Sequence, residues 1–190
     1  MPLFDPTCGS GTLVIEAALL AAHRPAGRNR TFSFQRWPTF VPSLWSELLT
    51  EADAGVRPLP PGLLYAADID ANAIAVARHN AARAGVESMI SWTVADARRS
   101  VLPGGPPGLV LCNPPYGVRL ASPQRLYQEL GRLVRSAAGW RLGILTSVPH
   151  LARAAGLVTA GYALSSGGLR VALYVSEPPI SSAAAPPPAT

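Results

Sequence analysis

Lysine is missing altogether: all 16 basic side chains are arginines, set against 11 Asp plus Glu for a formal charge of +5. Arginine carries a planar fork suited to bidentate phosphate contacts, but a GC-rich genome also writes arginine for lysine, so both readings stay open. Cysteine is nearly absent too. Cys8 and Cys112 lie far apart without a CxxC partner, which excludes a disulfide framework and a cysteine metal knuckle; both are expected as reduced, small core residues. His23, His79 and His150 are isolated, and no metal site is expected. Hydrophobic residues make up 48% of the chain, yet no apolar run approaches the roughly 18 residues that a membrane span needs. A soluble protein without a membrane partner is therefore expected. Met1 is not followed by a basic stretch, an apolar core and a cleavage site, which makes the cytoplasm the expected location. At 190 residues, against a prior of roughly 150 per domain, one domain is expected.

What is present begins at once with Asp5-Pro6-Thr7-Cys8-Gly9-Ser10-Gly11-Thr12. It reads as a strand end, a glycine turn and a helix N-terminus, where free N–H groups and unhindered backbone can meet a ligand. A helix follows over about 12–22, with Leu13, Ala17, Leu20 and Ala21 at helical spacing, and Pro25 and Gly27 end it. An insertion over about 25–62 comes next. Its arginines Arg28, Arg30 and Arg36 interleave with Phe32, Phe34 and Trp37, and a helix carrying Leu44, Leu48 and Leu49 is expected over 43–54. The arginines can grip phosphates while an aromatic ring stacks on a base, or the rings can simply cap the edge of the core.

Three strand patterns then end in acids. Leu63 to Ala67 runs into Asp68-Ile69-Asp70, and Ile90 to Val94 runs into Ala95-Asp96-Ala97; with Asp5 this makes three carboxylates at strand tips. In open α/β sheets that edge is where ligands bind, and an acid at the second tip accepts from ribose hydroxyls. One of Asp68 and Asp70, most simply Asp70, is also expected to cap the helix whose buried face is Ile74, Ala77, Ala81 and Ala84. A fourth strand, Leu109 to Cys112, leads into Asn113-Pro114-Pro115-Tyr116-Gly117. Two prolines stiffen the backbone there, so that the Asn113 side-chain oxygen and the Pro114 carbonyl can act as paired acceptors for an exocyclic amine. Tyr116 offers a ring to a base turned out of its stack; a plain turn or a WW-type ligand is the bland alternative.

In this order, the Asp5 to Thr12 turn, Asp68-Ile69-Asp70, Asp96 and Asn113 to Gly117 closely resemble the catalytic domain of S-adenosylmethionine-dependent RNA guanine-N2 methyltransferases. The likeness is nearest to the bacterial 23S ribosomal RNA enzymes, in which this domain follows a THUMP RNA-binding domain, and it spans about Leu3 to Glu177. The resemblance implies a Rossmann-like class I methyltransferase fold, α/β, with a mostly parallel seven-stranded sheet closed by an antiparallel hairpin around Gly167-Gly168. It implies S-adenosyl-L-methionine as cofactor, held by Asp5, Thr7, Cys8, Gly9, Gly11, Thr12, Asp68, Ile69, Asp96, Ala97 and Asn113. Asn113, Pro114 and Tyr116 would hold and activate the target base. RNA would meet Arg28, Arg30, Arg36, Trp37 and Arg119. The reaction implied is methylation of a guanine N2 amine in RNA, 23S ribosomal RNA foremost. A tRNA guanine-N2 or DNA adenine-N6 enzyme, or an inactive cofactor-binding remnant serving as an interaction module, are the alternatives.

The remaining segments read as scaffold. Leu126, Leu130, Leu133, Val134 and Ala137 form a helical stripe, Trp140 to Leu145 a strand, 150–155 a short helix, and 157–164 with 169–175 the hairpin. One catalytic domain is expected over 1–177, and a disordered Pro/Ala-rich tail over 178–190. Only Met1-Pro2-Leu3-Phe4 precede Asp5, so the first strand is expected to be a stub. The chain is expected to be a fragment or to have a misplaced start, and to bind cofactor and RNA weakly without an upstream RNA-binding domain.

Overall fold

The computed structural model describes residues 1–115, 123–157, 159–166 and 169–176. They group into two compact units, Pro2–Asp96 and, together with Met1, Ala97–Thr190. The strands of the seven-stranded mixed sheet run β3-β2-β1 in the first unit and β4-β5-β7-β6 in the second. The fold class therefore agrees with the expectation, including the antiparallel closing strands.

In the first unit β1 spans Leu3–Asp5 and β2 spans Leu64–Asp68. The stub does pair: Leu3, Phe4 and Asp5 lie parallel to Leu64, Tyr65 and Ala66. β3, Ile90–Val94, adds in parallel with Leu64 opposite Ile90 and Asp68 opposite Val94. Two helices cover these strands, α1 over Thr12–Ala21 and α3 over Ala71–Ala84, with α2 over Pro42–Ala54 between them in sequence. α3 buries Ile74, Ala77 and Ala81 as its periodicity predicts; Asp70 caps its start by accepting from the Asn72 N–H, and Gly85 ends it in the left-handed region.

α1 departs from its expected face. Val14, Ile15, Ala18 and Ala22 are buried, while Leu20 is 80% exposed. Nearly every position of α1 is apolar, so the pattern lacks the contrast that would orient it. α2 forms where expected, but none of its residues is fully buried, and Leu44 and Leu48 are about half exposed. Spacing identified an apolar stripe and could not say whether anything covers it.

The second unit holds β4 Leu109–Cys112, α4 Pro123–Arg135, β5 Arg141–Thr146, α5 Pro149–Ala154, β6 Thr159–Ser166 and β7 Leu169–Ser176. β4 and β5 are parallel; β7 runs antiparallel to both β5 and β6. α4 contributes Leu126, Tyr127, Leu130, Leu133 and Val134 to the buried set, and β4, β5 and α5 contribute Val110, Leu142, Ile144 and Leu151. The Ser176 hydroxyl closes the β7 end by accepting from the Leu142 N–H at 2.8 Å. The hairpin tip at Gly167-Gly168 and the expected tail over 178–190 lie outside the described residues.

α4 approaches α5 through Gly131, where an added Cβ would coincide with the Ala155 carbonyl oxygen and come within 3.0 Å of its Cα. Alanine in an exposed helix interior is usually worth about 1 kcal/mol over glycine. Here the backbone contact reverses the sign. Gly131→Ala is expected to lower the melting temperature by several degrees, from overpacking that costs about 1–3 kcal/mol. A thermal melt in which the variant gains stability would show that the two helices do not cross this closely.

Candidate functional site

The candidate residues fall into two groups, one in each unit. In the first unit the three acids are brought to one edge: Asp5 ends β1, Asp68 ends β2, and Asp96 lies just past β3. The Ala95 N–H donates to the Asp68 carbonyl at 2.9 Å, carrying the strand pairing one step toward Asp96. The turn between β1 and α1 is then tied to this edge. Its Cys8 N–H donates to the Ala67 carbonyl at 2.9 Å, and its Gly9 N–H donates to Asp68 Oδ2 at 2.9 Å. Asp68 Oδ1 accepts from the Asp70 N–H at 3.0 Å. The residue expected to meet a ribose thus also fixes the turn, and a carboxylate with about four acceptor sites has room for both.

Gly9 and Gly11 both sit in the left-handed region, with φ of +53° and +85°. They serve different ends. A Cβ on Gly11 would meet Ala77 Cβ and Ile15 Cδ1 at 3.0 Å, so that glycine lets α1 start against α3; a Cβ on Gly9 would meet nothing within 4 Å. Bare backbone with open space over it is what a ligand needs for close approach. In the same turn the Thr7 hydroxyl oxygen is buried without a hydrogen-bond partner among the described residues, a cost that a folded protein seldom leaves unmet. From α3 the Asn80 side-chain amide donates to the Ser10 carbonyl at 3.0 Å. Nothing in the sequence marked Asn80 for that task. Ile69 is 64% exposed at the tip of β2, an apolar face free to lie against a flat ring.

Electrostatics set the protonation of this edge. Asp5 is only 1% exposed; burial first, and the nearby charge of Asp68 second, push its carboxyl up to about 7, against the downward pull of the Thr7 N–H, which donates at 3.1 Å. Burial, with the same two carboxylates, raises the Cys8 thiol to about 12. Cys8 is therefore a neutral packing residue and not a nucleophile.

In the second unit, buried β4 delivers Asn113 to an exposed position and leaves Pro114 fully buried. The Tyr127 hydroxyl, from α4, lies 3.5 Å from the Pro114 carbonyl and 3.3 Å from Thr146 Oγ1 on β5. Tyr127 is 0% exposed, so α4 and β5 brace the proline backbone from behind. The helical stripe expected from the sequence, Leu126, Leu130, Leu133, Val134 and Ala137, did not include Tyr127. Cys112 is a buried, reduced thiol donating to the Gly143 carbonyl at 3.7 Å, and Cys8 is likewise outside any disulfide. Ala97 is buried at the start of this unit. Tyr116 and Arg119 lie outside the described residues. Among the described residues no cluster could hold a metal ion.

The basic and aromatic insertion, in the first unit, separates into parts. Phe32 and Phe34 stack at 5.5 Å, and Phe34 packs on Trp45 at 5.3 Å and Phe40 at 6.0 Å, so these rings form a small core of their own. Trp37 is left 62% exposed, the ring that stays available for stacking. Arg28 donates to both oxygens of Asp53, at 2.8 to 3.0 Å, and holds that carboxyl below its ordinary value. Arg30 lies over Phe32 at 5.9 Å, and Arg36 ends a short 3-10 turn, Ser33–Arg36.

A mostly parallel seven-stranded sheet with an antiparallel end, acids at its strand tips, a glycine turn and an Asn-Pro-Pro segment define a class I methyltransferase fold. Known structures agree. SMU.472, whose crystal structure holds SAH, matches with a TM-score of 0.84 at 30% identity, over 93% of this chain and 48% of that one. A protein of Listeria monocytogenes described as a predicted N6-adenine-specific DNA methylase matches with a TM-score of 0.83 at 31% identity, over 94% of this chain and 47% of that one. Residues 1–160 match the UPF0020 family model, described as RMKL-like, methyltransferase domain, and the chain belongs to that family. Among its relatives, ribosomal RNA large subunit methyltransferase K/L of Legionella pneumophila (strain Philadelphia 1) is 45% identical over 178 residues, 90% of this chain and 25% of that protein. The chain spans about a quarter of the length of the curated relatives it matches.

Burial of Asp5 makes stability depend on pH in a stated direction. Its carboxyl in the folded protein, at about 7, lies above the ordinary 3.8, so between those values the folded state holds the proton more tightly than the unfolded chain. The stability it confers is complete below about 4, falls as pH rises, and is gone above about 7; the swing is on the order of 4 kcal/mol. Asp5→Asn keeps an acceptor for Thr7 and removes the titration. Thermal melts are expected to coincide near pH 4 and to favour the variant by several degrees at pH 8. A difference independent of pH would refute the assignment to Asp5.

Proposed function

We propose that this chain transfers a methyl group from S-adenosyl-L-methionine to the exocyclic N2 amine of a guanine in RNA, 23S ribosomal RNA foremost. The observation that carries the reading is the Asn113-Pro114-Pro115 segment, rigid, with Asn113 exposed directly after a buried strand and the Pro114 carbonyl braced by Tyr127. The relatives' name as ribosomal RNA methyltransferases, and the SAH held by SMU.472, support it.

In this reading the cofactor supplies a sulfonium methyl, already a strong electrophile. The chain's own residues bind and orient. The backbone at Gly9 and the Thr7 hydroxyl receive the methionine end, with Asp5, Cys8, Gly11 and Thr12 shaping that turn. Asp68 accepts from the ribose, Ile69 covers the adenine face, and Asp96 and Ala97 meet the adenine edge. Asn113 Oδ1 and the Pro114 carbonyl accept from the target amine, fix its lone pair, and stabilise positive charge as it grows on nitrogen. Tyr116 stacks on the target base. The amine proton leaves to solvent after transfer, so no dedicated base is needed. Arg28, Arg30, Arg36, Arg119 and Trp37 serve RNA contact, and an RNA-binding domain upstream, as in the family, supplies further affinity. No described helix is long and apolar enough to cross a membrane, and ribosomal RNA as substrate fits a cytoplasmic enzyme.

A second reading, transfer to adenine N6 in DNA, is favoured by the Listeria relative's description and uses the same paired acceptors. Incubation with S-adenosylmethionine and in vitro ribosomal RNA or duplex DNA, followed by nucleoside mass spectrometry, separates the two. N2-methylguanosine is expected; N6-methyladenine would favour the second, and no product on either would sink both. Asn113→Ala is expected to lower transfer by at least about 100-fold and to weaken cofactor affinity, measured by calorimetry, far less. Loss of both would contradict the role given to Asn113.

A further inference from the structure

The first unit carries an open cavity of about 510 Å³ that the sequence reading did not foresee. Its lining includes Arg24, Arg28, Arg30 and Arg83, with Asp53 as its sole carboxylate and Asn80 at its wall. The arginines converge from separate places: Arg24 just past the end of α1, Arg28 and Arg30 in the loop after it, and Arg83 in the last turn of α3. Charge in this cavity is unbalanced. Arg28 is committed to Asp53 through three contacts; Arg24 feels the same carboxylate without a salt bridge to it, and Arg30 and Arg83 have no carboxylate partner among the described residues.

Helix ends account for part of that charge and not for all of it. Arg24 and Arg83 lie by the C-termini of α1 and α3, each equivalent to about half a negative charge. Three full cations against two such ends leave the cavity roughly two charges positive. Arg24 is also fixed in place: its Nη1 occupies the space beside Gly85, 2.8 Å from where a Cβ would stand, and its Nε is buried with no hydrogen-bond partner. A donor buried and unmet is costly, so the Arg24 guanidinium carries hydrogen-bonding capacity that the described residues do not use in full. Guanidinium forks pair most strongly with phosphate oxygens.

We infer that this cavity is a phosphodiester-binding site, in which Arg24, Arg30 and Arg83 grip the backbone of the RNA strand. The inference rests on the RNA-methyltransferase reading and adds to it a subsite built from the helix ends. Asp53 opposes the incoming phosphate and limits affinity, while its pairing with Arg28 keeps the loop in shape.

The test is anisotropy titration of the full chain with a labelled single-stranded RNA, repeated across salt concentrations. R24Q/R30Q/R83Q is expected to make the dependence of log affinity on log salt shallower by about two, at about 0.7 per phosphate contact on a single strand. R99Q/R153Q/R170Q removes the same charge from exposed positions outside the cavity and is expected to change the slope far less. Asp53→Asn should tighten binding and steepen the slope, a gain that damage to the fold would not produce. Equal effects of the two triple variants, or no effect of the first, would overturn the site; so would inorganic phosphate displacing RNA at micromolar concentration, which would make the free anion the ligand. Methylation of RNA by the unaltered chain is scored separately. Its absence would overturn the underlying reading, whereas the cavity stands or falls on the paired variants.

Discussion

The Asp68 carboxylate is the junction on which the first unit depends. One oxygen takes the Gly9 N–H and the other the Asp70 N–H. A single side chain at the tip of β2 thereby holds the glycine turn that follows β1 and the entry to α3. Hydrogen bonds to an ionised acceptor are roughly twice as strong as neutral ones, and here both run to one carboxylate. β1 contributes three residues to the sheet; the turn beyond it is held laterally, by Asp68, by the Ala67 carbonyl and by Asn80 of α3.

That lateral hold explains how Gly9 can stay open. Gly11 is fixed by packing, wedged between Ala77 and Ile15, whereas Gly9 is fixed by its N–H alone and keeps its α-carbon face clear. The buried Asp5 belongs to the same arrangement. A carboxyl pushed up to about 7 by burial and by Asp68 is a net cost to the fold near neutral pH. A cationic group brought against that edge would lower this cost.

Much of this was legible in sequence, and the parts that were not share a cause. The strands, the acids at their tips, the Asp70 cap and the Asn113-Pro114-Pro115 segment are local patterns, each readable within a dozen residues. Periodicity failed for α1 because Leu13 to Ala22 is apolar almost throughout, apart from Glu16, and it gave the stripe of α2 without its surroundings. Tyr127 against Pro114 and Asn80 against Ser10 are contacts between distant segments, and Arg24 and Arg83 come to one cavity from two helix ends. No spacing rule reaches across such separations; only the packing of α1 on α3 and of α4 on its strands creates them.

The same two helices also sort charge. α1 and α3 begin at the acidic edge, directly after Gly11 and Asp70, and end at the arginine cavity, by Arg24 and Arg83. Each helix therefore places its positive end toward carboxylates and its negative end toward guanidiniums, the favourable sense at both. With 10 and 14 residues, they hold the two regions about 15 and 21 Å apart along their axes. That exceeds the screening length of about 8 Å at physiological salt, so neither potential cancels the other. One compact unit thus carries an anionic edge and a cationic cavity, and a charge brought to one does not neutralise the attraction at the other.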